Sequence, residues 1–275
     1  MGLIDKLVSI ADSVRAKTGG TDPLTLDEMA TAIDGIETGG GGDTTIEDGL
    51  ITGTLPEYTN DRVESVGQYA LGYLNVESVN LPSVTECEPN AFSRCTMKSV
   101  NLPNLTTAGS NAFYNCNYLQ TVNLPSLTGM KESTDSSLFY GCINLTRACL
   151  PLYAGNLNQT FYGCIVLKEL DIGNVYTFYT NGLKNCKMLK VIIIRKESVA
   201  SISKINCFDG TPFAEGGTGG WCLVTRARIE EYQNATNWSS LYAAGTCTFL
   251  PLEDYTVDGT TTGELDWDKI ERVTG

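Results

Sequence analysis

The most regular feature of the chain is a four-residue pattern, apolar-Asn-Leu-Pro, that returns at nearly constant spacing. It stands as Val79-Asn80-Leu81-Pro82, Val100-Asn101-Leu102-Pro103 and Val122-Asn123-Leu124-Pro125. It continues in degenerate form as Ala148-Cys149-Leu150-Pro151, Leu170-Asp171-Ile172 and Ile192-Ile193-Ile194. The third residues of these stretches are 81, 102, 124, 150, 172 and 194, with gaps of 21, 22, 26, 22 and 22. Alternation predicts a short strand in each repeat, with Val122 and Leu124 pointing inward and Thr121 and Asn123 outward. Proline ends each strand because it has no N–H to give to a ladder.

A second ladder keeps the same period. Phe92-x-x-Cys95, Phe113-x-x-Cys116, Phe139-x-x-Cys142, Phe161-x-x-Cys164 and Leu183-x-x-Cys186 recur, and Leu71-x-x-Leu74 fits one turn earlier. Leucines follow three residues after the cysteine at Leu119, Leu145, Leu167 and Leu189. The long gap marks an insertion of four residues around Gly129 to Asp135. Two ladders in phase predict a stacked solenoid, because one repeat cannot cover its own apolar face and its neighbours must. The fold class read from this is a β-rich solenoid of short strands and turns over residues 58–250, with few helices.

The flanks differ. Leu3, Ile4, Leu7, Val8, Ala11 and Val14 fall at helical spacing and Gly19-Gly20 stops that run. Thr25-Leu26-Asp27-Glu28 reads as a capping box that opens a second helix with stripe Leu26, Met29, Ile33 and Ile36. Residues 1–38 are therefore predicted to form a helical hairpin, too small to bury its own faces, that docks or oligomerises. Gly39 to Gly42 opens a predicted flexible linker over 39–57, and 251–275 reads as an acidic tail.

Ten cysteines invite a disulfide framework, but five of them occupy one position in successive repeats. Cys95, Cys116, Cys142, Cys164 and Cys186 are therefore predicted to be reduced and buried in one column. Cys87, Cys207, Cys222 and Cys247 have no assigned place, and a Cys222–Cys247 bridge stays open as an alternative. The chain has no histidine, no Cys-x-x-Cys pair and no EF-hand spacing, so neither metal nor cofactor is expected and catalysis is disfavoured. A net charge of −13 argues against a nucleic-acid partner, and no run of about 20 apolar residues suggests membrane insertion. The first twenty residues lack the uninterrupted apolar centre of a secretory signal.

The unit Asn111-Ala112-Phe113-Tyr114-Asn115-Cys116-Asn117-Tyr118-Leu119-Gln120-Thr121-Val122-Asn123-Leu124-Pro125 resembles the BspA-type leucine-rich repeat. The resemblance spans about residues 60 to 250 and implies a leucine-rich-repeat solenoid with a binding or structural role. Such repeats occur in bacterial surface adhesins and in proteins of bacteriophages that infect gut Firmicutes. Trp221-Cys222-Leu223-Val224, a helix over about 226–234, and Ala235-Thr236-Asn237-Trp238-Ser239 resemble the terminal cap of these arrays. They depart at Cys222 and Thr225, where the family prefers Tyr and Pro. Ile10 to Gly19 with Asp22 to Ala30 resembles a segment at the start of phage virion proteins, which implies attachment to other virion proteins through residues 1–38. Together the resemblances imply a virion protein, a tail-associated fibre or receptor-binding protein, with a head fibre, a capsid decoration protein or a bacterial surface adhesin as alternatives.

A solenoid of this kind would bind through its outward strand face, here Ser78, Asn80, Ser99, Asn101, Thr121, Asn123, Arg147, Glu169 and Asp171, with Cys149 replacing one asparagine. A hydrogen-bonding surface of this composition suits a host-surface glycan or protein. The insertion at Gly129 to Asp135 and the stretch Tyr153-Ala154-Gly155-Asn156 are candidate binding loops. Tyr176, Phe178 and Tyr179 are candidate aromatic contacts.

Overall fold

The computed structural model describes residues 45–47, 50–52, 55–131, 137–256 and 271–272. The hairpin read at 1–38 and residues 132–135 of the insertion lie outside the described residues. The chain divides into a unit of residues 1–57 and a larger unit of residues 58–275. Within the first, Thr45–Glu47 and Leu50–Thr52 form an antiparallel pair in register Ile46↔Ile51. The stretch read as a linker therefore contains strand: β-branched residues flank Asp48-Gly49, the sequence signal of a tight hairpin.

The larger unit is the solenoid. Its principal strands are β1 (Val76–Asn80), β2 (Ser99–Asn101), β3 (Thr121–Asn123), β4 (Arg147–Cys149), β5 (Glu169–Asp171), β6 (Val191–Ile193), β7 (Gly220–Val224) and β8 (Cys247–Pro251). β1 and β2 pair in parallel, with Ser78 opposite Ser99 and Asn80 opposite Asn101. β3 to β8 form a six-stranded parallel sheet in chain order. Each strand runs the same way because each repeat makes one full turn of the coil before starting the next.

A second column of two-residue parallel strands lies half a turn on. Ser65–Val66, Glu86–Cys87, Thr107–Ala108 and Gly129–Met130 make one run. Asn156–Leu157, Thr177–Phe178 and Ser201–Ile202 make another. The break between them falls at the insertion. Cys87, unassigned from sequence, sits here with Val66, Ala108, Leu157, Phe178 and Ile202, all buried.

The core is filled by vertical columns. Phe92, Phe113, Phe139 and Phe161 stack ring on ring with centroids 5.0, 5.2 and 5.4 Å apart. That spacing follows from the strand separation, so identical residues on successive rungs meet face to face. Cys95, Cys116, Cys142, Cys164 and Cys186 are free thiols, buried beside this column. The thiols do more than fill space. Cys116, Cys142, Cys164 and Cys186 each donate Sγ–H to the carbonyl of the phenylalanine one rung back, Phe92, Phe113, Phe139 and Phe161, at 3.1 Å. A third column, Val84, Leu105, Leu127, Tyr153 and Val175, follows each proline or its equivalent. Its signal in the sequence is the Leu-Pro-x-apolar spacing.

The turn that delivers each Phe and Cys requires left-handed backbone. Asn111, Asn115, Asn181 and Asn185 have φ of 54–65°, and Gly141 and Gly163 take the same place at 72° and 75°. Asparagine and glycine are the residues that tolerate this conformation best.

The C-terminal end is closed by β7, β8 and the helices α1 (Ile229–Asn234) and α2 (Trp238–Ala243). The helix expected over 226–234 opens instead as a 3₁₀ turn, Arg226–Arg228. Trp238 Nε1–H donates to the Ala200 carbonyl at 2.6 Å, and the Ala200 N–H donates to the Tyr232 hydroxyl at 2.9 Å, so both cap aromatics clamp the backbone of one residue. Cys222 and Cys247 meet under this cap as two buried thiols with sulfurs 3.4 Å apart, not as a bridge.

Candidate functional site

The outward strand face changes character along the stack. Over β1 to β3 it is polar and open: Ser78, Asn80 and Asn123 are half-buried, and Ser99, Asn101 and Thr121 are exposed. Asn101 Nδ2–H donates to Asn80 Oδ1 at 2.8 Å, one rung of an amide ladder. Over β4 and β5 the face is ionic. Arg147 Nε lies 2.9 Å from Glu169 Oε2, and Arg195 forks onto Asp171 with its closest contact at 2.6 Å. Over β6 and β7 the face is apolar. Val191, Ile193 and Leu223 are buried there under Leu250, Leu252 and Tyr255.

Two of the residues assigned to an accessible outward face are therefore corrected. Glu169 is buried, and Asp171 has no exposed side-chain surface at all. Cys149, next to Asp171 in register, is buried too, and burial pushes its thiol up to about 12, with the Asp171 carboxylate adding to the effect. Arg147 pairs with Glu169 and Arg195 forks onto Asp171, and on the neighbouring strands the returning chain at residues 250–255 covers Val191, Ile193 and Leu223 and seals this end. The stretch read as the start of a solvated acidic tail thus packs back on the solenoid. Leu252–Asp254 forms a 3₁₀ turn, Asp254 is buried against Arg226, and Glu253 accepts the Arg226 backbone N–H at 2.9 Å. The uninterrupted apolar run Val191 to Ile194 signalled a strand buried on both faces.

The candidate loop at Tyr153 is corrected as well. Tyr153 is a core residue whose hydroxyl donates to the Asn156 carbonyl at 3.0 Å. Of the insertion, Gly129–Met130 is a rung of the second sheet and Lys131 pairs with Glu86 and Glu88. Phe178 is core, and Tyr176 and Tyr179 are exposed, with Lys196 Nζ 5.0 Å from the Tyr176 ring centre.

Beside the open face runs a shallow groove of about 500 Å³, not foreseen from sequence. One wall is the residue just before each strand: Lys98, Gln120, Thr146 and Lys168. The other is the residue two places earlier on later rungs: Tyr118, Asn144, Val166 and Met188. Because Lys98 precedes Ser99 and Gln120 precedes Thr121, groove and strand face are continuous. Thr146 Oγ1–H donates to the Gln120 carbonyl at 2.9 Å and Asn144 Nδ2–H to the Asn117 carbonyl at 2.7 Å, which holds the floor in place. Tyr118 and Met188 present large apolar surface to solvent. Tyr118 shows a half-exposed ring, and the amides and ammonium groups beside it are donors. The arrangement can bind; it has no nucleophile paired with a base.

Among the described residues no group of three His, Cys, Asp or Glu is placed to hold a metal ion, and no helix is long and apolar enough to cross a membrane.

A parallel solenoid with in-phase strand and Phe/Cys columns defines a leucine-rich-repeat protein. The model of the BspA type leucine rich repeat region matches residues 56–152 and 132–214 in six copies, more than half of the chain, and the chain belongs to that family. Two solved structures are similar to it. A Leucine Rich Repeat protein of T. pallidum is 24% identical over 53% of this chain and 70% of its own, with a TM-score of 0.46. A leucine rich cell surface protein of Faecalibacterium prausnitzii A2-165 is 18% identical over 81% of this chain and 56% of its own, with a TM-score of 0.30. No curated protein matches the chain.

Proposed function

We propose that this chain is a recognition module that binds a surface-displayed ligand through the open strand face from Ser78 to Arg147 and its adjoining groove. One observation carries the reading: among the described residues, the same face that is sealed by its own chain at β6 and β7 is left polar and uncovered at β1 to β3. Repeat solenoids typically bind through such extended surfaces. A polar face with a hydrogen-bonding ladder suits a glycan or a protein on a host surface.

The setting we propose is a phage virion, with the solenoid carried as a tail-associated fibre or receptor-binding protein and residues 1–38 attached to other virion proteins or to further copies of the chain. The resemblance of Ile10–Ala30 to virion segments supports it. Display on a bacterial surface is the second reading, and the occurrence of these repeats in surface adhesins favours it. Head fibre and capsid decoration are the variants of the first.

The test is binding of the labelled full-length protein to intact bacteria, with the double substitution Asn101→Arg and Thr121→Arg on the open face. Binding by the native protein and its loss in the variant, with an unchanged urea midpoint, is the expected result. Native protein that adheres to no cell, or a variant that adheres equally well, overturns the reading. Immunogold labelling then separates virion from cell surface, and phage head from tail.

A further inference from the structure

The charges of this chain are segregated. It carries 19 Lys and Arg against 32 Asp and Glu, yet residues 89–196 hold ten of the basic residues and only four of the acidic ones. The middle of the solenoid is thus a basic band on an acidic protein. Half of that band is neutralised internally, by Lys98–Glu77, Lys131–Glu88, Arg147–Glu169, Lys184–Asp209 and Arg195–Asp171. Lys168 and Lys190 are different. Both are exposed, and neither has an acidic partner among the described residues.

These two lysines occupy the same position on successive rungs. Each immediately precedes a strand in which Glu169 pairs with Val191, and the Lys190 N–H donates to the Lys168 carbonyl at 2.8 Å. Their stems leave the backbone about 5 Å apart. Two like charges carried on adjacent rungs with no counter-charge repel, and an anion between them relieves the repulsion with charge-assisted hydrogen bonds. Lys168 also lines the groove. Three rungs away, at the other end, lies Lys98, about 14 Å along the stack. From the Lys98–Glu77 pair to Lys168 and Lys190, the groove offers the exposed Tyr118 ring and the apolar side chains of Val166 and Met188.

We propose that the groove binds an anionic polyhydroxyl chain of a cell envelope, a sugar acid or a polyol phosphate, with one anionic group on Lys168 and Lys190 and an apolar sugar or polyol face on Tyr118. The proposal rests on the recognition reading above and names its ligand. Charge complementarity selects the anion. The exposed ring selects a partner with C–H faces to lay on it, as pyranose rings have. The repeat spacing selects a chain, because each rung advances by about the length of one sugar unit.

Calorimetric titration of the full-length protein tests this with five probes: tetragalacturonate, a glycerol-phosphate oligomer, neutral maltotetraose, tetraglutamate and a short single-stranded DNA. The expected result is binding of one or both of the first two and of none of the others, weakened by added salt. Galacturonate alone identifies a carboxylate ligand, and glycerol phosphate alone a phosphodiester. In Lys168→Glu/Lys190→Glu the affinity falls about tenfold or more, and in Tyr118→Ala about fivefold, with the urea midpoint unchanged. Failure of both anionic polyols to bind, insensitivity to the lysine substitutions, or equal binding of tetraglutamate or DNA overturns the proposal. Cell binding that survives Lys168→Glu/Lys190→Glu but is lost in the strand-face variant overturns the groove and leaves the recognition reading standing. Native protein that binds no cell removes the recognition reading itself.

Discussion

Truncating Phe139 to alanine probes the column on which the solenoid rests. The ring is fully buried and lies between Phe113 at 5.2 Å and Phe161 at 5.4 Å, both stacked at 15°. Removing a buried phenylalanine side chain costs ~3–5 kcal/mol, the lost transfer energy plus the cavity left behind. The backbone cannot collapse into that cavity freely, because the Phe139 carbonyl is held by the Cys164 thiol and the Cys142 N–H. The loss therefore belongs in the upper half of the range, ~4–5 kcal/mol. Phe92 supplies an internal comparison. It is equally buried but has one stacked phenylalanine neighbour, Phe113 at 5.0 Å. Phe92→Ala is expected to cost less by one stacking contact, ~1 kcal/mol. Urea unfolding followed by far-ultraviolet circular dichroism and by intrinsic fluorescence measures both, with the two probes compared because repeat arrays can unfold in parts. A loss below ~2 kcal/mol for Phe139→Ala, or a loss for Phe92→Ala as large as that for Phe139→Ala, would refute the stacked-column account.

Two further outcomes follow from buried polar groups. Arg195→Ala leaves the fully buried Asp171 carboxylate without its partner and is expected to cost ~3 kcal/mol, the low end for a buried pair because Arg195 is itself one-third exposed; a loss under ~1 kcal/mol in urea melts would show that the pair is not needed. Stability is also expected to fall in alkali. Burial pushes Cys95 and Cys149 up from about 9 to about 12, and Tyr153 and Tyr232 upward as well, so the folded state keeps protons that the unfolded chain releases. This contribution is whole below pH 9 and is lost as pH climbs from 9 toward 12, and a melting temperature that stays level across that window would refute it.

Much of the fold was legible because a solenoid is quasi-one-dimensional. Each repeat packs only on its neighbours, so a residue's depth follows from its phase in the period, and phase is written in the spacing of Val122, Leu124, Phe113 and Cys116. The same logic puts the five column thiols inside. What phase could not state is which outward positions stay outward. Glu169 and Asp171 sit at the same phase as Thr121 and Asn123, yet the first pair is buried and the second is not. The difference arises from what the chain brings to that surface, Arg147 onto Glu169, Arg195 onto Asp171 and residues 250–255 over the neighbouring β6 and β7, long-range contacts that no local pattern encodes.

The groove follows the same division. Lys98, Tyr118, Lys168 and Met188 look like scattered surface residues in the linear chain. They become one concave wall only when rungs stack at strand spacing and bring residues about twenty positions apart side by side. The sequence alone determined the repeat, the parallel coil and the chemistry of its interior, because periodicity and burial are local consequences of residue type. The tertiary structure alone decided where the coil is open, since exposure depends on what else the chain brings to that surface.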